Sequence, residues 1–182
     1  MKKAMITAIS HAEPSLNMSN LDAWKRCLEQ KPWQKKSDWI TPITYQDIAT
    51  KCERIWLKTK KRTRYNENSN TMSIQLIKNF QNKYKDDVFD GLDGIFVGTM
   101  TPAMTFPSTA SMIVKELNIS WHIEPYDINS ACNSFMKWII NAKRAIVSWE
   151  LSKILVIWVD SITKTLDWTY TAAVPFGDWA GW

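Results

Sequence analysis

Two short runs constrain most of what this chain can fold into. Leu92 to Gly98 (LDGIFVG) and Lys153 to Asp160 (KILVIWVD) are strand-length and almost continuously apolar. A strand with one wet face alternates polar and apolar residues, because successive side chains point to opposite faces. These two do not alternate, so both faces of each strand need cover. Strands of that kind lie inside parallel sheets covered on both sides by helices. Helical segments fall in suitable places. FPSTASMIVKEL (106–117) follows the first run with Pro107 near a helix start. HIEPYDI (122–128) reads as another strand, SACNSFMKWIINAKRAIVS (130–148) as a long helix and TAAVPFGD (171–178) as a fourth strand. The expected class is α/β, a mostly parallel central sheet with flanking helices.

The first half is less sharply written. Met5 to Ile9 suits a short first strand. Residues 19–29 and 44–55 carry apolar positions at helical spacing, Ile48, Cys52 and Ile55 among them, and each segment follows a Ser, Asn or Thr able to cap it. KTKKRTR (58–64) reads as a loop or an exposed edge. SNTMSIQLIKNFQNKY (69–84) reads as a capped helix with Met72, Leu76, Ile77 and Phe80 on one face. A chain of 182 residues can close one core, or form half of a larger, duplicated one. With no repeat, low-complexity linker or boundary in view, residues 1–182 are read as one unit.

Charge and cysteines narrow the setting. The net charge is +5, and residues 25–64 hold 12 Lys+Arg against four Asp+Glu. Such a run with scattered aromatics would suit a nucleic-acid surface, but no recognised nucleic-acid motif surrounds it. The expectation is a solvated face that attracts anionic partners, and no nucleic acid. No stretch approaches the roughly 20 apolar residues of a membrane span. MKKAMITAISHAEPS opens like a signal peptide, yet its apolar run is short and broken by His11 and Glu13. Cys27, Cys52 and Cys132 form an odd set without metal-ligand clustering, which suits a reducing cytoplasm and no metal.

Cys132 falls where a strand should end and a helix begin. A thiolate there would face unpaired N–H groups and the positive end of the helix dipole, which favours it as a nucleophile. Position alone leaves open a second reading, a small buried inert residue.

Four pieces in order carry a resemblance: DGIFVGTMTP (93–102), FPSTA (106–110), YDINSACNSF (126–135), and KILVIWVDSITKTLDWT with FGDWAG (153–181). Weaker echoes precede them in ITAISHAEPSLNMSNLD, SDWI and ERIWLKTKKR. The chain resembles the N-terminal half of 3-oxoacyl-[acyl-carrier-protein] synthase III, a condensing enzyme of the thiolase superfamily. The resemblance implies a thiolase-like fold and a cytoplasmic homodimer acting in fatty acid biosynthesis. Ala131-Cys132-Asn133-Ser134-Phe135 matches the family's Ala-Cys-x-Gly-Phe, so Cys132 is the implied acyl-carrying nucleophile. Phe106 matches a phenylalanine that reaches across the family's dimer to shape the acyl pocket. Phe176 matches another pocket-lining position, and Trp39 a tryptophan that stacks on the CoA adenine. Acyl-CoA enters as substrate, acyl carrier protein as partner, and no cofactor is implied.

Two departures matter. The family's catalytic histidine and asparagine lie in its second half, beyond the matched segment. His122, ahead of Cys132, and His11, in the opening loop, match neither. The chain therefore reads as a truncated part, inactive alone. A non-catalytic fragment or pseudoenzyme, or another acyl-CoA condensing or transferring branch of the superfamily, remains an alternative. The second departure is compositional: 11 Trp against 5 Gly, where an average share of about 7% would give roughly 13 glycines. Trp56, Trp149, Trp158 and Trp179, with Trp121 and Trp138, stand where the family has glycine. An indole at Trp158 is expected to overpack its strand, and Trp179 to stand in a left-handed turn. A gene that spells glycine as UGA, read by a code in which UGA means tryptophan, would give this pattern.

Overall fold

A computed structural model describes residues 3–30, 35–36, 38–54, 58–84, 90–118, 122–166 and 176–181. The chain opens with a two-residue strand, β1 (His11–Ala12), followed by β2 (Leu16–Ser19) and α1 (Asn20–Gln30). Ser19 caps α1: its Oγ accepts the Asp22 N–H at 3.0 Å and donates to the Asp22 carboxylate at 2.6 Å. In α2 (Tyr45–Arg54) Thr44 and Asp47 make the reciprocal box, each side chain meeting the other's backbone N–H. The Ile48–Cys52–Ile55 stripe expected there lies outside the described side chains. KTKKRTR holds a strand, β3 (Thr59–Arg62), that pairs antiparallel with β2, and it is not the exposed edge expected: Lys60 and Thr63 are buried. Met18, Ala23 and Trp24 form a small core for this lobe.

The long helix α3 (Ser69–Tyr84) is capped by Asn68, whose Oδ1 accepts the Thr71 N–H. Next come β4 (Gly94–Gly98), α4 (Thr109–Glu116, capped by Ser108) and β5 (Glu124–Ile128). A 3-10 turn over Ala131–Asn133 leads into α5 (Ser134–Val147), then β6 (Ile154–Asp160) and β7 (Trp179–Gly181). The sheet order is β1-β7-β6-β4-β5. Its centre, β6-β4-β5, is parallel, and β7 and β1 add antiparallel strands on one side.

The two apolar runs are the central strands, and both faces are covered as they require. Ile95, Val97, Leu155, Ile157 and Val159 pack with Met72, Leu76, Ile77 and Phe80 of α3 and Ile113 of α4. Phe96 faces the other way, into Trp138, Ala142 and Ala145 of α5. Full burial of one such aliphatic side chain stabilises by about 1.5–3 kcal/mol, so this sheet is the molecule's main anchor. No helix of the described residues is long and apolar enough to cross a membrane.

Several expectations need correction. Met5 to Ile9 forms no strand, and Met5, Ile6 and Ile9 are exposed. The partner at that edge, β7, is only three residues long, so pairing is confined to His11 and Ala12. The fourth strand starts at Trp179 instead of within TAAVPFGD, whose residues 176–178 are unpaired and 171–175 lie outside the described residues. Trp158 does not overpack its ladder, because its partners are glycines on both sides, Gly98 and Gly181. Trp179 is extended in β7 and pairs with Asp160. The left-handed tryptophan at a helix end is Trp149, at φ +67°. Trp56 and Trp121 lie outside the described residues.

Candidate active site

Because β4, β5 and β6 are parallel, their carboxyl ends share one edge of the sheet. Trp179 opposes Asp160, so the chain also enters β7 from that edge. Ligands of parallel sheets bind at this edge, where loops diverge. The loops here carry three of the four expected site residues: Phe106 after β4, Cys132 after β5 and Phe176 before β7. Trp39 belongs to none of them.

Cys132 is a free, exposed thiol. It is not the buried residue of the second reading. It sits in the 3-10 turn, directly after Ala131, which is held at φ +49°. A residue with a Cβ adopts that left-handed conformation at a cost of roughly 1–2 kcal/mol. Ser134 offsets the cost. Its Oγ accepts the Ser130 N–H and donates to the Ala131 carbonyl, both at 2.8 Å. The Asn133 N–H donates to the Ser130 carbonyl at 3.1 Å, closing the turn. Gly98 lets the first turn of α5 lie against β4, since a Cβ there would come within 3.0 Å of the Ser134 Cβ.

Three aspartates fix the surrounding loops. Asp127 accepts the N–H groups of Thr109 and Ala110, at 2.7 and 2.8 Å, and so holds the start of α4. Asp160, buried at the end of β6, accepts from the Met100 N–H at 2.7 Å and the Thr99 and Thr101 hydroxyls. Asp178, also buried, ties Thr63 to Thr163 through both their N–H groups and both hydroxyls. None of these carboxylates, nor Ser134, was singled out from the sequence. The available signal was cost: a carboxylate ending an apolar run has to find donors.

The remaining expected residues are exposed in different settings. Phe106 is 88% exposed, so it is no core aromatic. Phe176 is partly exposed beside Gly177. Trp39 is 83% exposed at φ +60°, on a loop closed by a Lys35–Pro42 bridge. Asp38 accepts the Ile40 and Thr41 N–H groups and the Thr41 hydroxyl, and these bonds, that hydroxyl foremost, hold its carboxyl below its usual value. The Lys36 ammonium, 2.7 Å from Asp47, together with Thr44, holds the Asp47 carboxyl well below the usual carboxylate range. Neither histidine attends Cys132: His122 precedes β5, whereas Cys132 follows its far end, and His11 lies in β1.

Residues 126–181 match the family model described as 3-Oxoacyl-[acyl-carrier-protein (ACP)] synthase III. A beta-ketoacyl-[acyl-carrier-protein] synthase III of Coxiella burnetii is 43% identical over 91 residues, half of this chain and 28% of that protein. A beta-ketoacyl-[acyl-carrier-protein] synthase III 2 of Bacillus anthracis is 29% identical over 180 residues, 98% of this chain and 49% of that protein. Among solved structures, 3-oxoacyl-[acyl-carrier-protein] synthase III from Aquifex aeolicus VF5 aligns with a TM-score of 0.77 at 25% identity. That alignment covers the whole of this chain and 52% of the other. A 3-oxoacyl-(acyl-carrier protein) synthase from Burkholderia xenovorans aligns at 0.81 and 18% identity, over 99% of this chain and 47% of the other. The resemblance read from the sequence is borne out, and the fold is thiolase-like. The chain spans about half the length, or less, of the curated relatives it matches.

Proposed function

We propose that this chain supplies the acyl-accepting half of a β-ketoacyl-[acyl-carrier-protein] synthase III. The observation that carries the reading is the exposed thiol of Cys132, on a strained turn entering α5 within the segment that matches the family model. Its thiolate attacks the thioester carbonyl of an acyl-CoA, the CoA thiol leaves, and the acyl group stays on Sγ. The backbone N–H of Cys132 helps hold the tetrahedral oxyanion. A malonyl group on acyl carrier protein then loses carbon dioxide, and its carbanion attacks the acyl carbon. The Cys132 thiolate leaves, giving a β-ketoacyl carrier protein two carbons longer.

Phe106 and Phe176 border the acyl chain, and Trp39 offers its exposed indole to the adenine of CoA. The carbanion relies on the histidine and asparagine that the family carries in its second half. The protein works in the cytoplasm as a homodimer, with acyl-CoA as substrate, acyl carrier protein as partner and no further cofactor. The basic stretch over residues 25–64 draws in both anionic partners.

Intact-mass analysis of the native protein incubated with short acyl-CoA tests the reading. The expected result is one acyl adduct on the peptide containing Cys132, lost in Cys132→Ser. No adduct, or an adduct that survives the substitution, overturns it.

A further inference from the structure

We infer that Ser134 is a positioning residue for Cys132, an assignment that rests on the acyl-enzyme reading above. The Ser134 side chain is fully buried, and its single hydroxyl bonds both flanks of the strained residue. Without it, the Ser130 N–H loses its side-chain partner and the Ala131 carbonyl keeps only the Ser134 backbone N–H. Ala131, still tethered through its own N–H to Asn129 Oδ1, is then held less firmly at φ +49°, and the Cys132 N–H and Sγ shift with it. Acyl transfer needs thiolate and oxyanion donor aligned at once, whereas alkylation by a small reagent needs only an exposed thiolate. The two reactions separate alignment from mere folding.

The test measures both rates in the intact protein, acylation by acyl-CoA and alkylation by iodoacetamide. Ser134→Ala should lower acylation by about tenfold or more, the scale on which misalignment acts, with alkylation little changed. Unchanged acylation in Ser134→Ala overturns the role, as does a parallel change in both rates. A wild-type protein that takes no acyl group on Cys132 removes the functional reading itself, and this role with it.

A second inference rests on other atoms. We infer that residue 149 is glycine in the protein its own cell makes. Trp149 follows the last turn of α5 in the left-handed region. Its N–H donates to the Ile146 carbonyl, and the Glu150 N–H to the Ala145 carbonyl. That pair of bonds defines the helix ending whose left-handed position is usually glycine. The indole is 73% exposed, so little burial offsets the conformation. Trp24 differs: it lies inside α1 and packs against Met18 and Ala23.

Peptide mapping of the protein from its native source decides the matter. Glycine at position 149, lighter by the whole indolylmethyl group, is expected. Tryptophan there overturns the inference.

Discussion

The sheet built on β4 and β6 and the lobe of α1, α2, β2 and β3 are held together in different ways. Around the sheet, Ile95, Val97, Ile113, Leu76 and Ile157 are shut off from solvent by helices on both sides. In the lobe the buried apolar cluster among the described residues is Met18, Ala23 and Trp24, and caps, a two-stranded ribbon and a carboxylate-closed loop add order. The first region follows from apolar pattern over long stretches, the second from local polar bonds. Residues 126–181, which match the family model, take in most of β5 with α5, β6 and β7, and leave out β4 and α3. Burial of both faces constrains a strand more tightly than capping constrains a helix.

The contrast should appear in stability. Ile157→Ala removes most of a fully buried side chain from the sheet core, and a loss of about 4 kcal/mol is expected in urea unfolding. Met18→Ala in the lobe should cost less, about 2 kcal/mol. Equal losses would break the distinction. Gly98→Ala sharpens it at the site: the new Cβ would stand 3.0 Å from the Ser134 Cβ and 3.2 Å from its carbonyl carbon. Overpacking of this kind should cost about 2 kcal/mol and slow acylation of Cys132. Thr44→Ala, which deletes the α2 cap, should cost about 1 kcal/mol, read as faster amide exchange in the first turn of α2. The smallest effect is on acidity. The Asp38 and Asp47 carboxyls are depressed in the folded state, so their stabilisation is complete above the ordinary carboxylate value of about 4. It fades as pH falls through the folded values. Amide spectra of Ile40 and Thr41 should therefore be steady from neutral pH down to about 5 and change only in stronger acid.

Legibility followed the same division. β4, β6 and α3 could be read because their apolar residues repeat with the period of the element they form. The expectation that α1, α2 and α3 are capped is met, by Ser19, Thr44 and Asn68, because capping is local in sequence. Met5 to Ile9 misled, since an edge strand is only as long as its partner and β7 is short. Trp179 misled as well: its conformation is set by pairing with Asp160, which its neighbours in sequence do not show. Cys132 was legible as a junction residue and as a family position. Ala131 and Ser134 were not, because the left-handed turn depends on how closely α5 approaches Gly98.

The pairing of His11 with Gly181 carries a consequence for how the molecule is made. On the ribosome, β4 and β5 can meet β6 once that strand has emerged, but β1 must wait for β7, near the other end of this sequence. Until then His11 and Ala12 have no place in the sheet. Contacts so distant along the chain form late and slowly. Nascent chains should therefore bind holding chaperones through their first dozen residues, and let go only when β7 arrives.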